Sequence, residues 1–144
     1  MIKKKILIAT GGTGGHVFPA VSLANYLSNK NFSVILTSDK RGSIYLKDYD
    51  NLNLVEIPSS PLIKKNILKL FYSFIIVFFS IIKSLLILIF DRPSIIIGMG
   101  GYSSFPICIA ASILRIKFIV YENNLIIGKA NKYLLPFTKK IFVS

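Results

Sequence analysis

Residues 6–19 read Ile-Leu-Ile-Ala-Thr-Gly-Gly-Thr-Gly-Gly-His-Val-Phe-Pro, an apolar run that leads into four glycines and the only histidine of the chain. The apolar run predicts a strand, and the residues after the glycines predict a helix. Glycines let the backbone come close to a ligand, and the free N–H groups and dipole of a helix start favour an anion. This junction therefore predicts a ligand site with a titratable imidazole, His16, beside it.

Short apolar runs alternate with helical patterns along the rest of the chain. This alternation predicts an α/β fold: a Rossmann-like parallel sheet with helices on both faces. Strands are predicted at 5–9, 33–37, 54–57, 94–97, 117–121 and 140–143. A first helix follows His16, with apolar residues at helical spacing through Leu27, and a second runs from Pro106 to Leu114. Pro19 and Pro106 are both expected in the first turn of their helices.

The composition is apolar and basic for a chain of 144 residues. Hydrophobic residues make up 53%, and 18 Lys and Arg against 6 Asp and Glu give a formal net charge of +12. The length suits about one domain with a real core. The positive charge suits an anionic bilayer, a phosphorylated ligand or nucleic acid. No nucleic-acid partner is expected, because the lysines are dispersed and no recognition motif accompanies them.

Residues 67–90 form an apolar segment that is long enough to cross a membrane. Projected on a helix, the polar residues of this region fall on one narrow stripe: Lys65, Lys69, Ser73, Ser80, Lys83 and Ser84. A span would bury Lys83 in lipid and put the flanking strands on opposite sides of a bilayer. We expect a crossover helix whose outer apolar surface contacts the membrane; an ordinary buried helix and a true span are the alternatives. Lys64, Lys65 and Lys69 would then meet anionic head groups.

Three loops follow predicted strands, at Thr10–His16, Gly98–Pro106 and Glu122–Asn131. The carboxyl ends of parallel strands form the ligand crevice of an open α/β sheet, so we expect the three loops to converge on one site. Each loop alone also fits a plain turn between a strand and a helix.

Known phosphate and metal signatures are absent from these loops. Val17 stands where a Rossmann motif would need its third glycine, and Asp39, the nearest candidate to hold a ribose, lies beyond the end of the second strand. The only Gly-Lys pair is followed by Ala130, which does not fit a Walker motif. No Cys/His cluster with metal-ligand spacing is present, so no metal site is predicted.

Four segments together carry a family resemblance, in order and over essentially the whole chain. They are Thr10-Gly-Gly-Thr-Gly-Gly-His-Val-Phe-Pro-Ala20, Gly98-Met-Gly-Gly-Tyr102, Tyr121-Glu-Asn-Asn124 and Gly128-Lys-Ala-Asn-Lys-Tyr-Leu134. The chain resembles the amino-terminal half of the MurG family of GT-B glycosyltransferases. The resemblance implies inverting transfer of N-acetylglucosamine from UDP-N-acetylglucosamine to undecaprenyl-diphosphate-MurNAc-pentapeptide (lipid I), which gives lipid II for peptidoglycan synthesis.

The same resemblance assigns a donor site and a base. Thr13, Gly14, Gly15 and Asn124 match the family's amino-terminal contribution to binding UDP-N-acetylglucosamine, and His16 matches its proposed general base. A free histidine titrates at about pH 6.5, so an imidazole can take the proton of the attacking sugar hydroxyl at cytoplasmic pH.

The acceptor is expected to lie against two further loops. Gly100, Gly101 and Tyr102 are expected to border its diphosphate, and Glu122 to orient a neighbour or a sugar hydroxyl. Neither a metal ion nor another cofactor is implied. Residues 38–43 depart from the family pattern, so no role is assigned to them.

The resemblance also sets the expected domain organisation and location. Residues 1–144 are expected to form the acceptor and membrane-side domain, with the carboxyl-terminal donor-binding domain absent, so that the chain alone transfers no sugar. Family members bind peripherally to the cytoplasmic face of the bacterial inner membrane through an apolar and basic patch, which agrees with residues 67–90. The competing hypothesis is a non-catalytic membrane anchor that recruits a separate donor-binding chain.

Overall fold

A computed structural model describes residues 4–61 and 66–143, in which six parallel strands form one sheet. The strands are β1 (Lys5–Ala9), β2 (Ser33–Ser38), β3 (Asn53–Glu56), β4 (Ile95–Gly98), β5 (Phe118–Glu122) and β6 (Ile141–Val143). Their order across the sheet is β3-β2-β1-β4-β5-β6, which is the order of doubly wound nucleotide-binding folds. The predicted strands are confirmed, and their ends shift by at most one residue.

Helices cover both faces of this sheet, as predicted. They are α1 (Gly14–Asn29), α2 (Lys40–Ser43), α3 (Ile67–Asp91), α4 (Ser104–Ile113) and α5 (Lys129–Leu134), with a 3-10 turn over Ile44–Leu46. Side chains of β1 alternate between the faces, because successive residues of a strand point to opposite sides. Ile6 and Ile8 pack with α1, whereas Leu7 and Ala9 belong to the core formed with α3, α4 and α5.

Three local features differ from the sequence prediction. Pro19 lies inside α1, as its sixth residue, and not in the first turn, because α1 begins as early as Gly14. Pro106 does lie in the first turn of α4. The short helices α2 and α5 were not predicted; α5 begins at Lys129, within the segment interpreted as the third loop.

Helix α3 connects β3 to β4, two strands of the same sheet, so its predicted role as a crossover is confirmed. Its serine stripe faces the protein: Ser73, Ser80 and Ser84 are buried. Each hydroxyl donates to a carbonyl four residues earlier in the helix, at 2.7–2.9 Å. Ser73 also accepts from the Ser60 hydroxyl at 2.8 Å, and Ser80 also donates to the carbonyl oxygen of Pro58 at 2.6 Å, so this stripe packs on the loop after β3.

The opposite face of α3 is apolar and exposed. Its large side chains with the greatest exposure are Ile67, Leu68, Phe71, Tyr72, Phe78, Phe79 and Phe90. In length and composition α3 is the one helix of residues 4–61 and 66–143 that would suffice to cross a membrane. Lys69 is exposed at its start, whereas Lys64 and Lys65 lie outside the described residues. Lys83 donates to the carbonyl oxygen of Glu56 at 2.7 Å.

Candidate functional site

The three loops predicted to converge do meet, at the carboxyl edge of the sheet beside β1 and β4. They enclose a cleft of about 190 Å³. Its walls are His16, Gly101, Tyr102, Glu122, Asn124, Gly128, Lys129, Ala130 and Asn131. Five residues with predicted roles therefore share one cleft, whereas Thr13, Gly14, Gly15 and Gly100 lie outside its lining.

The start of α1 offers free backbone donors. Thr13 precedes the helix with an extended backbone, and its side chain makes no capping hydrogen bond. The N–H groups of His16 and Val17 both donate to the carbonyl oxygen of Thr13, while those of Gly14 and Gly15 have no partner among the described residues. No acidic side chain lies in the first turn. This helix start therefore suits an anionic group.

His16 lies against the loop after β4. A Cβ atom at Gly100 would lie 3.0 Å from Nδ1 of His16, and one at Gly101 would lie 2.7 Å from the carbonyl oxygen of Gly11. Both glycines have positive φ, +90° and +80°, which other residues rarely adopt. Thr10 holds the backbone of His16, donating from its hydroxyl to the carbonyl oxygen at 2.8 Å.

The imidazole nitrogen of His16 that faces this loop is buried. Nδ1 has no hydrogen-bond partner among the residues that the structure describes. The ring also lines the cleft, so the imidazole borders both the protein interior and the space that a substrate would occupy.

Glu122 organises the loop after β5. Its Oε1 accepts from the backbone N–H and the side-chain amide of Asn124, and its Oε2 accepts from the N–H of Gly128 and from Asn131. Burial alone raises the pKa of this carboxyl, but these hydrogen bonds outweigh burial and hold the pKa below its usual value. With both oxygens engaged by its own loop, Glu122 suits the positioning of Asn124 better than contact with a sugar hydroxyl.

Asn131 is a cleft residue to which the sequence prediction gave no role. Its side-chain amide donates to Glu122 and, at 3.2 Å, to the carbonyl oxygen of Tyr121. Its Oδ1 is buried without a partner among the described residues. The available signal was its place beside Ala130 and three residues before Leu134, which puts a polar side chain on the inward face of α5.

Asp39 is a second residue that the sequence prediction left without a role. It is 3% exposed. Its Oδ1 accepts from the N–H groups of Gly12 and Gly42, both at 2.9 Å, and its Oδ2 accepts from the Ser59 hydroxyl at 2.7 Å and from Arg41 at 3.0 Å. One carboxylate thus joins the loops after β1, β2 and β3. The signal was the residue type alone, because Asp is a preferred residue at the N-cap of a helix.

Asp39→Asn is expected to destabilise the fold at pH 7 by about 2 kcal/mol, because an amide replaces one acceptor oxygen by a donor facing other donors. Burial raises the pKa of Asp39, but its hydrogen bonds outweigh burial and leave the pKa lowered. The carboxylate therefore stabilises the fold above the unfolded pKa of about 3.9, and this stabilisation is lost as pH falls through the folded-state value. Urea unfolding followed by circular dichroism measures both effects.

The exposed Asp48 provides the matched control for that experiment. Asp48→Asn is expected to leave the free energy of unfolding within about 0.5 kcal/mol of the wild type. Equal losses in the two variants, or an Asp39→Asn loss that persists unchanged in acid, would contradict the role given to the Asp39 carboxylate.

Metal-ligand geometry is not found here: within residues 4–61 and 66–143, no group of three or more His, Cys, Asp or Glu side chains is placed to hold a metal ion.

The strand order and the loops around His16 define the class of domain. A parallel sheet in this order, with its ligand crevice at the switch point between β1 and β4, is the Rossmann-like architecture of a GT-B glycosyltransferase domain. The chain belongs to glycosyltransferase family 28, whose N-terminal domain matches residues 6–143.

Curated relatives that share one name among themselves match nearly the whole chain. A UDP-N-acetylglucosamine--N-acetylmuramyl-(pentapeptide) pyrophosphoryl-undecaprenol N-acetylglucosamine transferase of Pelagibacter ubique is 42% identical over 98% of this chain and 39% of its own length. The enzyme of that name from Rickettsia felis is 37% identical over 98% of this chain and 38% of its own length. The chain thus spans less than half the length of these relatives.

Solved structures agree on the fold. The crystal structure of Acinetobacter baumannii MurG superposes with a TM-score of 0.79 at 24% identity, over 99% of this chain and 41% of that one. A UDP-GlcNAc 2-epimerase from Methanocaldococcus jannaschii superposes with a TM-score of 0.69 at 13% identity, over 99% of this chain and 39% of that one. At these identities the likeness concerns the fold alone.

Proposed function

We propose that this chain is the acceptor-side domain of a transferase that moves N-acetylglucosamine from UDP-N-acetylglucosamine to lipid I. The observation that carries the proposal is the cleft itself: His16, with a buried and unpartnered Nδ1 among the described residues, stands between the loops after β1, β4 and β5. The names of the curated relatives supply the two substrates.

The proposed reaction is an inverting displacement. The C4 hydroxyl of the acceptor sugar attacks the anomeric carbon of the donor, the new C–O bond forms as the bond to the diphosphate breaks, and UDP leaves. His16 takes the hydroxyl proton as general base. The free N–H groups of Gly14 and Gly15 are suited to the negative charge that develops on the diphosphate.

The proposed contacts divide between two substrates. Thr13, Gly14, Gly15 and Asn124 contact the donor. Gly100, Gly101 and Tyr102 border the acceptor diphosphate, and the backbone of Gly100 also lies against the His16 ring. Glu122 acts on the donor site through Asn124, from which it accepts two hydrogen bonds.

We further propose that the exposed apolar face of α3 contacts the cytoplasmic face of the inner membrane. Soluble surfaces seldom leave so large an apolar patch uncovered, and the lipid-linked acceptor named in the relatives resides in a bilayer. Lys69 is exposed at the start of the helix, and the net charge of +12 favours an anionic surface. The proposed role in peptidoglycan synthesis, and through it in cell shape and division, depends on this location.

The decisive experiment joins residue 143 to the carboxyl-terminal remainder of the Pelagibacter ubique relative, which we call the completed transferase. It is expected to form lipid II from lipid I and UDP-N-acetylglucosamine. A folded chimera that binds UDP but forms no lipid II would overturn the proposal and favour the non-catalytic membrane anchor.

The purified 144-residue chain is expected to form no measurable lipid II from the same substrates. In the proposed enzyme the groups that hold uracil, ribose and most of the donor sugar belong to the second domain, so the chain provides only one wall of the cleft. The assay uses radiolabelled UDP-N-acetylglucosamine, with the completed transferase as the positive control. Lipid II formation by the chain alone would contradict the proposed division between the domains.

A further inference from the structure

A proline stands at an unusual place in α1. Pro19 is the sixth residue of the helix, where a backbone N–H would ordinarily donate to the carbonyl oxygen four residues earlier. Proline has no N–H, and in a helix interior it costs about 3 kcal/mol. The carbonyl left without its helical donor is that of Gly15.

The carbonyl oxygen of Gly15 instead accepts a hydrogen bond from another loop. The side-chain Nδ2 of Asn123 donates to the carbonyl oxygen of Gly15 at 2.6 Å, across 108 residues of sequence. Asn123 directly follows β5 and precedes Asn124. A single hydrogen bond therefore links the helix start after β1 to the loop after β5.

This link joins the two parts of the proposed donor site. Gly15 lies in the first part and precedes His16, while Asn124 forms the second part. Asn124 is itself held by Glu122, at 2.6 Å from the side-chain amide to Oε1. The hydrogen bond between Asn123 and Gly15 joins the two parts directly, whereas Glu122 accepts, among the described residues, from its own loop and from Asn131.

We propose that Pro19 and Asn123 are positioning residues that together set the spacing of the donor site. Pro19 keeps the Gly15 carbonyl free of a helical partner, and Asn123 uses that carbonyl to fix the loop that carries Asn124. Neither residue takes part in the chemistry. The proposal rests on the proposed transferase function for its effect on donor binding. The hydrogen bond between Asn123 and Gly15, which we call the clamp, is a property of this chain.

The first test measures the clamp in the ¹⁵N-labelled 144-residue chain in detergent micelles, independently of any activity. The side-chain amide proton of Asn123 that bonds to Gly15 is expected to exchange with solvent more slowly than the other proton of the same amide. Pro19→Ala supplies an N–H that competes for the Gly15 carbonyl, so exchange is expected to accelerate by about 5-fold or more, as for a weakened hydrogen bond. Unchanged exchange in Pro19→Ala would overturn the role of Pro19.

The second test measures donor binding in the completed transferase. Asn123→Leu has nearly the same size and no charge but lacks the donor, and it is expected to raise KM for UDP-N-acetylglucosamine by about 10-fold with little change in kcat, the loss of one hydrogen bond. Asn51→Leu, at an exposed loop asparagine, is the matched control and is expected to leave KM unchanged. Equal KM values in the two variants would overturn the proposal.

Pro19→Ala separates positioning from a purely structural role. Removing a proline from a helix interior is expected to raise Tm, yet the clamp predicts a higher donor KM in the same variant. A purely structural Pro19 would raise Tm and leave KM unchanged. The effects of Asn123→Leu and Pro19→Ala on KM are expected to be less than multiplicative, because both act on one hydrogen bond. If the completed transferase is inactive, amide exchange alone tests whether the clamp exists and depends on Pro19.

Discussion

His16→Ala lowers kcat of the completed transferase by about 10²-fold or more, the loss expected when a general base is removed. The backbone N–H groups of Gly14 and Gly15 stay in place, so KM for the donor is expected to change little. Steady-state rates of lipid II formation measure both values.

Ser28→Ala, at the exposed end of the same helix, is the control and is expected to keep wild-type rates. His16→Gln adds a second control, because glutamine keeps hydrogen-bonding capacity but takes no proton at neutral pH. Near-normal turnover in His16→Ala would contradict the assignment of the base. Recovery of activity in His16→Gln would show that the side chain serves only as a hydrogen-bonding group.

The fold was predictable because its signals are local. Strands β1 and β4 are short apolar runs followed by glycine-rich loops, and both the runs and the loops are visible in the sequence. Once the strands are parallel, their carboxyl ends must share an edge, so the convergence of three loops followed from the strand assignment. The apolar face of α3 could likewise be placed outward from the positions of its polar residues.

The contacts that hold the site could not be predicted from such signals. Asp39 reaches Gly12 across 27 residues, and Asn123 reaches Gly15 across 108. These pairs depend on how loops from different strands meet. Neither sequence spacing nor hydrophobic periodicity shows which residues of two such loops come within hydrogen-bond distance. Pro19 was misplaced for a related reason: the helix begins on glycines, which have poor helix propensity and gave no sign of an early start.

Replacing Phe71, Phe78 and Leu86 by serine is expected to weaken binding of the chain to anionic vesicles by about 10³-fold or more. These side chains are 66%, 61% and 51% exposed on the outer face of α3. Complete burial of one such side chain contributes about 1.5–3 kcal/mol, and a loss of about 4 kcal/mol corresponds to 10³-fold in affinity. Co-sedimentation with vesicles of phosphatidylglycerol and phosphatidylcholine measures the change.

The matched control replaces three exposed apolar residues on the α1 side of the sheet, Tyr26, Ile44 and Tyr45. It removes a similar kind of surface and is expected to leave vesicle binding unchanged. High salt distinguishes the electrostatic from the apolar contribution to vesicle binding. Salt screens the attraction between the basic chain and anionic lipid but not the burial of apolar side chains. Binding that survives high salt in the wild type but not in the α3 variant supports insertion of the apolar face. Equal binding of the two triple variants, or loss of all binding at high salt, would instead make the contact electrostatic and leave α3 outside the lipid.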